Sequence, residues 1–318
     1  MKFSSTSAGL VAALVSAVAF GTSGAFVKPL LEAGWSPAAA VTARALAGGV
    51  VLLPFVLVAL RGRWAALWRG RWRVLGMGAI AVAYAQLAYF AAIRRIPVST
   101  ALLVEYLAPL LLVGFAWATT RRMPGPTVLA GSALAVGGLV LVIGPGALHA
   151  VDPIGLVYAF GASIGCALYF VIAARPSDGL PPVVLAGAGL LVGGAVLAAA
   201  GATGVLRFTT TYGDLPLLGS QRPWWVPLLV VAVVGTALAY AAGITGSGLL
   251  GSRLASFIGL LEVVSAALWA WLLLGERLTP LQLVGGVLIL GGIAAVRSER
   301  SPTADEPAAE PVATPALR

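Results

Sequence analysis

Ten apolar stretches, separated by short segments rich in turn residues or arginine, occupy the chain between residues 8 and 296. They run over 8–29, 37–60, 74–93, 97–118, 126–145, 153–174, 182–201, 225–245, 250–274 and 280–296. A helix of roughly 20 apolar residues crosses the ~30 Å hydrocarbon core of a bilayer. Proline stands at or beside the first helical position of five stretches (Pro37, Pro97, Pro126, Pro153 and Pro280), where its missing N–H costs no helical hydrogen bond. Trp224 and Trp225 open the eighth and suit a membrane–water interface. The expected fold is an all-α membrane protein of ten transmembrane helices.

Composition excludes the soluble alternatives. Of 318 residues, 60% are hydrophobic and 10% charged, with a mean hydropathy of +0.99. A soluble domain carries about 25% charged residues, so this chain could not cover a water-facing surface. A soluble enzyme is ruled out on that ground. The net charge of +9 does not form one basic tract, so nucleic acid is not an expected partner. The basic residues fall between apolar runs, the pattern of loops facing an anionic leaflet. One cysteine (Cys166) excludes an internal disulfide, and one histidine (His149) excludes a His-rich metal site. HExxH, CxxC, P-loop and GxSxG elements are absent from the sequence, so no cofactor, metal or catalytic residue is expected and an enzyme is disfavoured. Eighteen Arg against two Lys, with abundant Gly and Ala, fits a high-GC bacterial genome.

The first stretch has features of a secretory signal in Lys2 and the small residues around Ala19. Its apolar run continues to Val27 and nine more spans follow, so it reads as an uncleaved first helix. With the N-terminus inside, 13 of the 20 basic residues fall on the cytoplasmic side and six on the outer side, leaving Arg44 within a helix. The bias puts both termini in the cytoplasm. Its densest part is Arg61–Arg73, where Trp64, Trp68 and Trp72 share one helical face and read as a membrane anchor. Residues 1–7 form a cytoplasmic N-terminus, and the Pro-, Ala- and Glu-rich segment 298–318 reads as a disordered cytoplasmic tail.

The spans repeat. An offset of 154 aligns Pro126 with Pro280, Gly131 with Gly285, and Gly137-Gly138 with Gly291-Gly292. Gly9-Leu10-Val11 in the first span recurs as Gly155-Leu156-Val157 in the sixth, and Leu87-Ala88-Tyr89 in the third as Leu238-Ala239-Tyr240 in the eighth. Two repeats follow, over 8–146 and 153–297, each of five spans. Five is odd, so the second repeat enters the membrane the other way up. Inverted repeats of this kind are a recurring plan of secondary transporters, with a site near the midplane between the halves.

The run Leu260-Leu261-Glu262-Val263 through Leu274-Gly275-Glu276, followed by Pro280, Gly285-Gly286 and Gly291-Gly292, is similar to the glutamate-proline…glycine-glutamate pattern of EamA-type carriers in the drug/metabolite transporter superfamily. Ala108-Pro109 and Gly131 resemble the other copy of that domain, and the likeness extends over residues 8 to 296. Two departures break the symmetry. Val263 stands where the family often has proline, and Ala108 and Arg122 stand where the second repeat has Glu262 and Glu276. The resemblance implies a central cavity lined by the third, fourth, eighth and ninth spans with the first and sixth, and a scaffold of the fifth and tenth. It also implies an exporter of amino acids, other metabolites or toxic compounds in the bacterial plasma membrane.

Charges inside the spans mark candidate sites, since each is unfavourable by roughly 2.5–3.5 kcal/mol on insertion scales. Arg44 lies about 10 Å into the second span and Glu105 about 12 Å into the fourth, from the same side, which suits an ion pair that is structural or substrate-contacting. Glu262 lies about 18 Å into the ninth, near the midplane, with no basic residue at its depth. It reads as a binder of a proton or of a substrate amino group, or as an acid hydrogen-bonded to a neighbouring helix. Tyr84 and Tyr240, with Gln86, Trp269 and Thr236, are expected to form an amphipathic cavity. Thr22-Ser23-Gly24 reads as a flexible break or as close helix packing. Lys28 reads as snorkelling to headgroups, and Glu276 beside Arg277 as a cap or surface pair.

The expected activity is therefore secondary transport of a small-molecule substrate across the lipid bilayer, with proton coupling and a homodimer left open. A lipid-linked carrier or flippase of the same fold, and a membrane enzyme or assembly factor, are the competing classes.

Overall fold

A computed structural model of the chain describes residues 5–93, 95–96, 98–121, 123–144, 152–176, 179–217, 219–274 and 279–298. His149, the Glu276–Arg277 pair and the expected tail beyond Ser298 lie outside these residues. All ten expected spans are helical within them. The first is Ser5–Glu32 and the second Pro37–Ala59. The third runs Arg71–Gly76, passes through a π-helical stretch Met77–Tyr84, and ends as Ala85–Ile93. The fourth comes in two pieces, Val98–Glu105 and Ala108–Thr120. The fifth to seventh are Pro126–Ile143, Pro153–Ala174 and Pro182–Ala202. The eighth runs Trp225–Ala232, π-helical Val233–Leu238 and Ala239–Leu250. The ninth is again in two pieces, Ser252–Gly259 and Leu261–Leu274, and the tenth is Pro280–Ser298. Nine of these are long and apolar enough to cross a membrane, and the fifth is shorter.

Local chemistry sets the ends. The Ser36 hydroxyl accepts from the Ala39 N–H and the Asp152 carboxylate from the Ile154 N–H, each just ahead of a proline at the first helical position. Gly251, at φ +81°, makes the one-residue turn between the eighth and ninth spans that a β-carbon would strain. Thr22-Ser23-Gly24 lies within a continuous helix, so close packing is the alternative the chain adopts. Ser23 donates to the Gly235 carbonyl at 3.3 Å.

The packing is that of helices in lipid. Large apolar side chains such as Val11, Phe55, Val58, Val157 and Val287 face outward, while Gly and Ala fill the contacts between helices. The two largest cores each mix the repeats. One gathers Leu52, Val56, Met77, Leu185 and Ile244 from the second, third, seventh and eighth spans, joined by the end of the sixth. The other gathers Leu103, Val113, Leu139, Phe257 and Ile289 from the fourth, fifth, ninth and tenth. The first span packs on the eighth and ninth, and its counterpart, the sixth, on the third and fourth. Each repeat is thus threaded into the other. The two bodies that result each draw on both repeats.

The fifth and tenth spans cross through reciprocal glycines. A β-carbon on Gly131 would lie 2.7 Å from the Gly292 carbonyl oxygen, and one on Gly292 2.5 Å from that of Gly131. Gly138 and Gly285 repeat the relation at 2.5 and 2.6 Å. The offset of 154 exchanges these two pairs, which is the mark of a two-fold pseudo-axis through the crossing.

A short hairpin departs from the all-helical pattern: Asp214–Leu217 pairs antiparallel with Ser220–Pro223. Its segment is stapled to the turn between the first two spans. Trp35 donates to the Thr211 carbonyl at 2.7 Å, Thr211 to that of Ala33 at 2.7 Å, and Thr209 to that of Gly34 at 3.0 Å. At the opposite end, Trp64, Trp68 and Trp72 are exposed, with the Arg71 guanidinium 4.5 Å from the Trp68 ring centre.

Two measurements check this packing. Gly137 has open space where its β-carbon would go, whereas Gly138 does not. Gly→Ala in a helix is intrinsically favourable by up to about 1 kcal/mol, while overpacking is unfavourable by about 1–3 kcal/mol. Gly137→Ala therefore raises the melting temperature of the purified protein or leaves it unchanged, and Gly138→Ala lowers it. Second, the Arg95 guanidinium, 3.0 Å from Asp152, holds that carboxyl below the usual carboxylate range. A depressed carboxyl stabilises the fold above its unfolded value of about 3.9 and loses that contribution as pH falls through the folded one. The melting-temperature deficit of Asp152→Ala is accordingly largest at neutral pH and shrinks as the pH is taken below about 3.9.

Candidate functional site

Pro109 decides the local geometry of the fourth span. It has no N–H to give the carbonyl four residues back, that of Glu105, and its ring crowds that carbonyl, so the helix breaks between Glu105 and Ala108. The ninth span breaks at the corresponding place without a proline. There Gly259 weakens the helix, and the Leu260 N–H turns tightly onto the Phe257 carbonyl at 3.1 Å. Both breaks border a cavity between the two cores, with about 980 Å³ of empty space counted out to its open mouth.

The first, third, fourth, sixth, eighth and ninth spans contribute to its wall, joined by the second through Arg44. The fifth and tenth do not reach it and pack on each other. One edge of the wall is aromatic. Phe20, Tyr240, Tyr169 and Phe170 stack edge to face in sequence, with centroid separations of 5.1, 5.7 and 5.0 Å. Beyond them the lining turns polar and charged. Arg44 and Gln86 come from one core, and Glu105, Tyr106 and Glu262 from the other. Tyr106 and Glu262 share this part of the wall, and Arg44 shares the space with both carboxylates.

Of the residues singled out from sequence, Arg44, Glu105, Glu262 and Tyr240 meet in this cavity, and Gln86 with them. Arg44 and Glu105 share it without a direct ion pair among the described residues, because they stand on opposite cores with the cavity between. Tyr84, Trp269 and Thr236 are not in the lining. Tyr84 is 44% exposed, with its hydroxyl beside Gly161 on the outside of the third and sixth spans. Trp269 donates to the Val18 carbonyl at 3.2 Å and ties the ninth span to the first, as Ser265 does at 3.2 Å. Thr236 is buried against Gly48.

Sequence reasoning did not single out Tyr106, Tyr169, Cys166, Ser16 or Ser247 as cavity residues. Tyr106 directly follows Glu105, so its place at the break was a usable signal. The Tyr169 hydroxyl and Ser247 Oγ are buried without a hydrogen-bond partner among the described residues, although both line the cavity. Polar groups buried in this way usually have a hydrogen-bond partner. Among the described residues no three His, Cys, Asp or Glu are grouped to hold a metal ion. The lining offers one guanidinium, two carboxyl groups and several hydroxyls.

The family model of the EamA-like transporter family matches residues 7–144 and again 153–298. The chain belongs to that family. It is a multi-pass membrane transporter. Its relatives include the Salmonella typhimurium protein named uncharacterized inner membrane transporter YicL, 25% identical over an alignment of 301 residues that covers 91% of this chain and 95% of that one. Another is an uncharacterized transporter of Archaeoglobus fulgidus, 26% identical over 285 residues, covering 90% and 94%. A solved crystal structure superposes with a TM-score of 0.72 at 20% identity over 91% of this chain and 96% of that one, a likeness of fold.

Cys166 provides a direct probe of the transporter's cavity, being the sole cysteine and part of the lining. Two carboxylates against one guanidinium leave the space negative when all three are ionised. A cationic methanethiosulfonate therefore modifies Cys166 faster than an anionic one of similar size, each rate taken relative to a free thiol. Glu262→Gln narrows that ratio, as measured by mass spectrometry of the intact protein.

Proposed function

We propose that this protein is a plasma-membrane exporter of amino acids or closely related small metabolites that works by alternating access. The observation that carries the proposal is the placement of Arg44 on one core opposite Glu105 and Glu262 on the other. A zwitterionic solute meets both needs of such a cavity: its carboxylate faces Arg44 and its ammonium faces a carboxylate. Charge-assisted contacts of this kind are worth about 1.5–3 kcal/mol each. A solute bridging the two sides also changes the attraction between the cores, so its binding is coupled to their approach. The moving bodies in this reading are the two cores, with the first and sixth spans at the seam.

One guanidinium balances one carboxylate, and the second carboxylate needs its own countercharge inside a water-poor space. A proton or the substrate's ammonium supplies it, and Glu262 near the midplane is the group we assign to that exchange. The aromatic edge Phe20–Tyr240–Tyr169 gives the solute's apolar part a surface and is tolerant of shape, in keeping with a family of broad substrate range. The arginine bias of the loops supports placing both termini in the cytoplasm, and the inner-membrane name of the Salmonella relative supports the bacterial inner membrane as its location.

The test is counterflow in proteoliposomes with labelled amino acids, with and without an imposed pH gradient. The expected result is uptake above protein-free liposomes that responds to the gradient. Glu262→Gln removes the pH response, and Arg44→Gln lowers uptake about tenfold or more, the equivalent of losing one such contact. Uptake by Glu262→Gln that keeps the wild-type pH profile rules out the proton role. Absence of uptake for every amino acid removes that substrate class in favour of lipid-linked or xenobiotic solutes.

A further inference from the structure

A second cavity, with about 1050 Å³ of empty space counted to its opening, is lined by other residues of the third and sixth spans than those of the first cavity. It is walled by the short helix Trp64–Arg69, the start of the third span, the end of the sixth and the entry to the seventh. Three arginines line it, Arg69, Arg73 and Arg175, and no carboxylate does among the described residues. Loop residue Asp178, nearby in sequence, lies outside the described residues. Below the arginines the wall is apolar: Ile80, Leu168 and Val171 stand deeper in their spans. Trp72, 71% exposed, flanks the opening beside the Arg71 guanidinium, 5.4 Å from its ring centre.

The three arginines do different things. Arg73 is committed to the fold: its Nε donates to the Ile172 carbonyl at 2.9 Å and its Nη2 to that of Ala173 at 3.1 Å, closing the C-terminal end of the sixth helix. Arg69 and Arg175 are exposed and make no ion pair among the described residues. Guanidinium groups hold phosphate oxygens in a two-pronged geometry that ammonium groups cannot match. The arginines and Trp72 stand at the loop end of the groove, and the aliphatic wall lies deeper in the spans. This is the order of a phospholipid entering a bilayer, headgroup phosphate first and acyl chain below.

We infer that this groove is a binding site for one anionic phospholipid, whose phosphate is held by Arg69 and Arg175 beside Arg73 and whose acyl chain lies along Ile80, Leu168 and Val171. The lipid fastens the arginine-rich loop to the ends of the sixth and seventh spans. That loop leads directly into the third span, which lines the transport cavity, so the lipid steadies a wall of the site without entering it. The inference does not depend on the transported substrate.

The experiment is thermal unfolding of the purified full-length protein in a non-ionic detergent, with added phosphatidylglycerol, phosphatidylcholine or inorganic phosphate. Phosphatidylglycerol is expected to raise the melting temperature, and the other two are not. Arg69→Gln/Arg175→Gln loses the response while melting near the wild-type temperature without lipid. Arg61→Gln/Arg63→Gln, on the same loop outside the groove, keeps it. An equal response to phosphatidylcholine overturns the charge recognition, and an equal response to inorganic phosphate overturns the lipid in favour of a free-phosphate site. An equal loss in both double variants overturns the groove in favour of diffuse attraction. Where Arg69→Gln/Arg175→Gln does not fold, quenching in the wild-type protein decides. Brominated phosphatidylglycerol quenches tryptophan fluorescence more than brominated phosphatidylcholine, and Trp72→Phe removes the difference; equal quenching by the two lipids overturns the site.

Discussion

Inside hydrocarbon each backbone N–H and C=O must find its partner within the protein, and that requirement organises this transporter. Helices satisfy it automatically, so the spans facing lipid are regular: the second, fifth, seventh and tenth run without a break. Departures are confined to the helices that border the cavity. The third and eighth carry π-helical stretches, and the fourth and ninth break at Tyr106-Leu107 and Leu260. There the neighbouring walls and the cavity's own polar content can satisfy groups that lipid could not. The irregular backbone is thus both permitted by the cavity and responsible for it, since each break opens a wall to Glu105 or Glu262.

The two-fold pseudo-symmetry is respected by the scaffold and relaxed at the site. Gly131 with Gly292 and Gly138 with Gly285 form an exchangeable set, because backbone contact leaves no room for side-chain differences. At the cavity the same offset aligns Glu105 with Gly259 and Ala108 with Glu262. The two carboxylates are therefore one helical turn out of register, and the cavity lining holds one arginine, Arg44 of the second span.

Which parts of this were legible in the sequence follows from energy. Arg44, Glu105 and Glu262 stood out because an ionised side chain within a 20-residue apolar run is too unfavourable to be incidental. Tyr84 and Trp269 illustrate the limit. A tyrosine or tryptophan is tolerated at a lipid interface, between helices or in a cavity alike, so its residue type does not choose among them. Its helical face does, and the π-helical stretch over Met77–Tyr84 shifts that face relative to a regular helix. Tyr84 turned outward while Gln86, two residues on, lines the cavity. Tyr169 and Ser247 carried no charge to flag them and became visible only as unpartnered groups in a wall.

The sequence by itself determined ten helices, their order, the inverted repeat and the charges that lie at depth, because hydropathy, helix length and the parity of five spans are properties of the chain read locally. Only the tertiary structure decided that the repeats interleave into two mixed cores, that Arg44 faces Glu105 across open space instead of bridging to it, and that three loop arginines converge over an apolar groove. Those outcomes depend on how closely helices approach through glycine and on the rotation of each helix about its axis. Both are set by contacts between residues hundreds of positions apart, such as Ser16 on the Ala239 carbonyl and Ser265 on that of Val18.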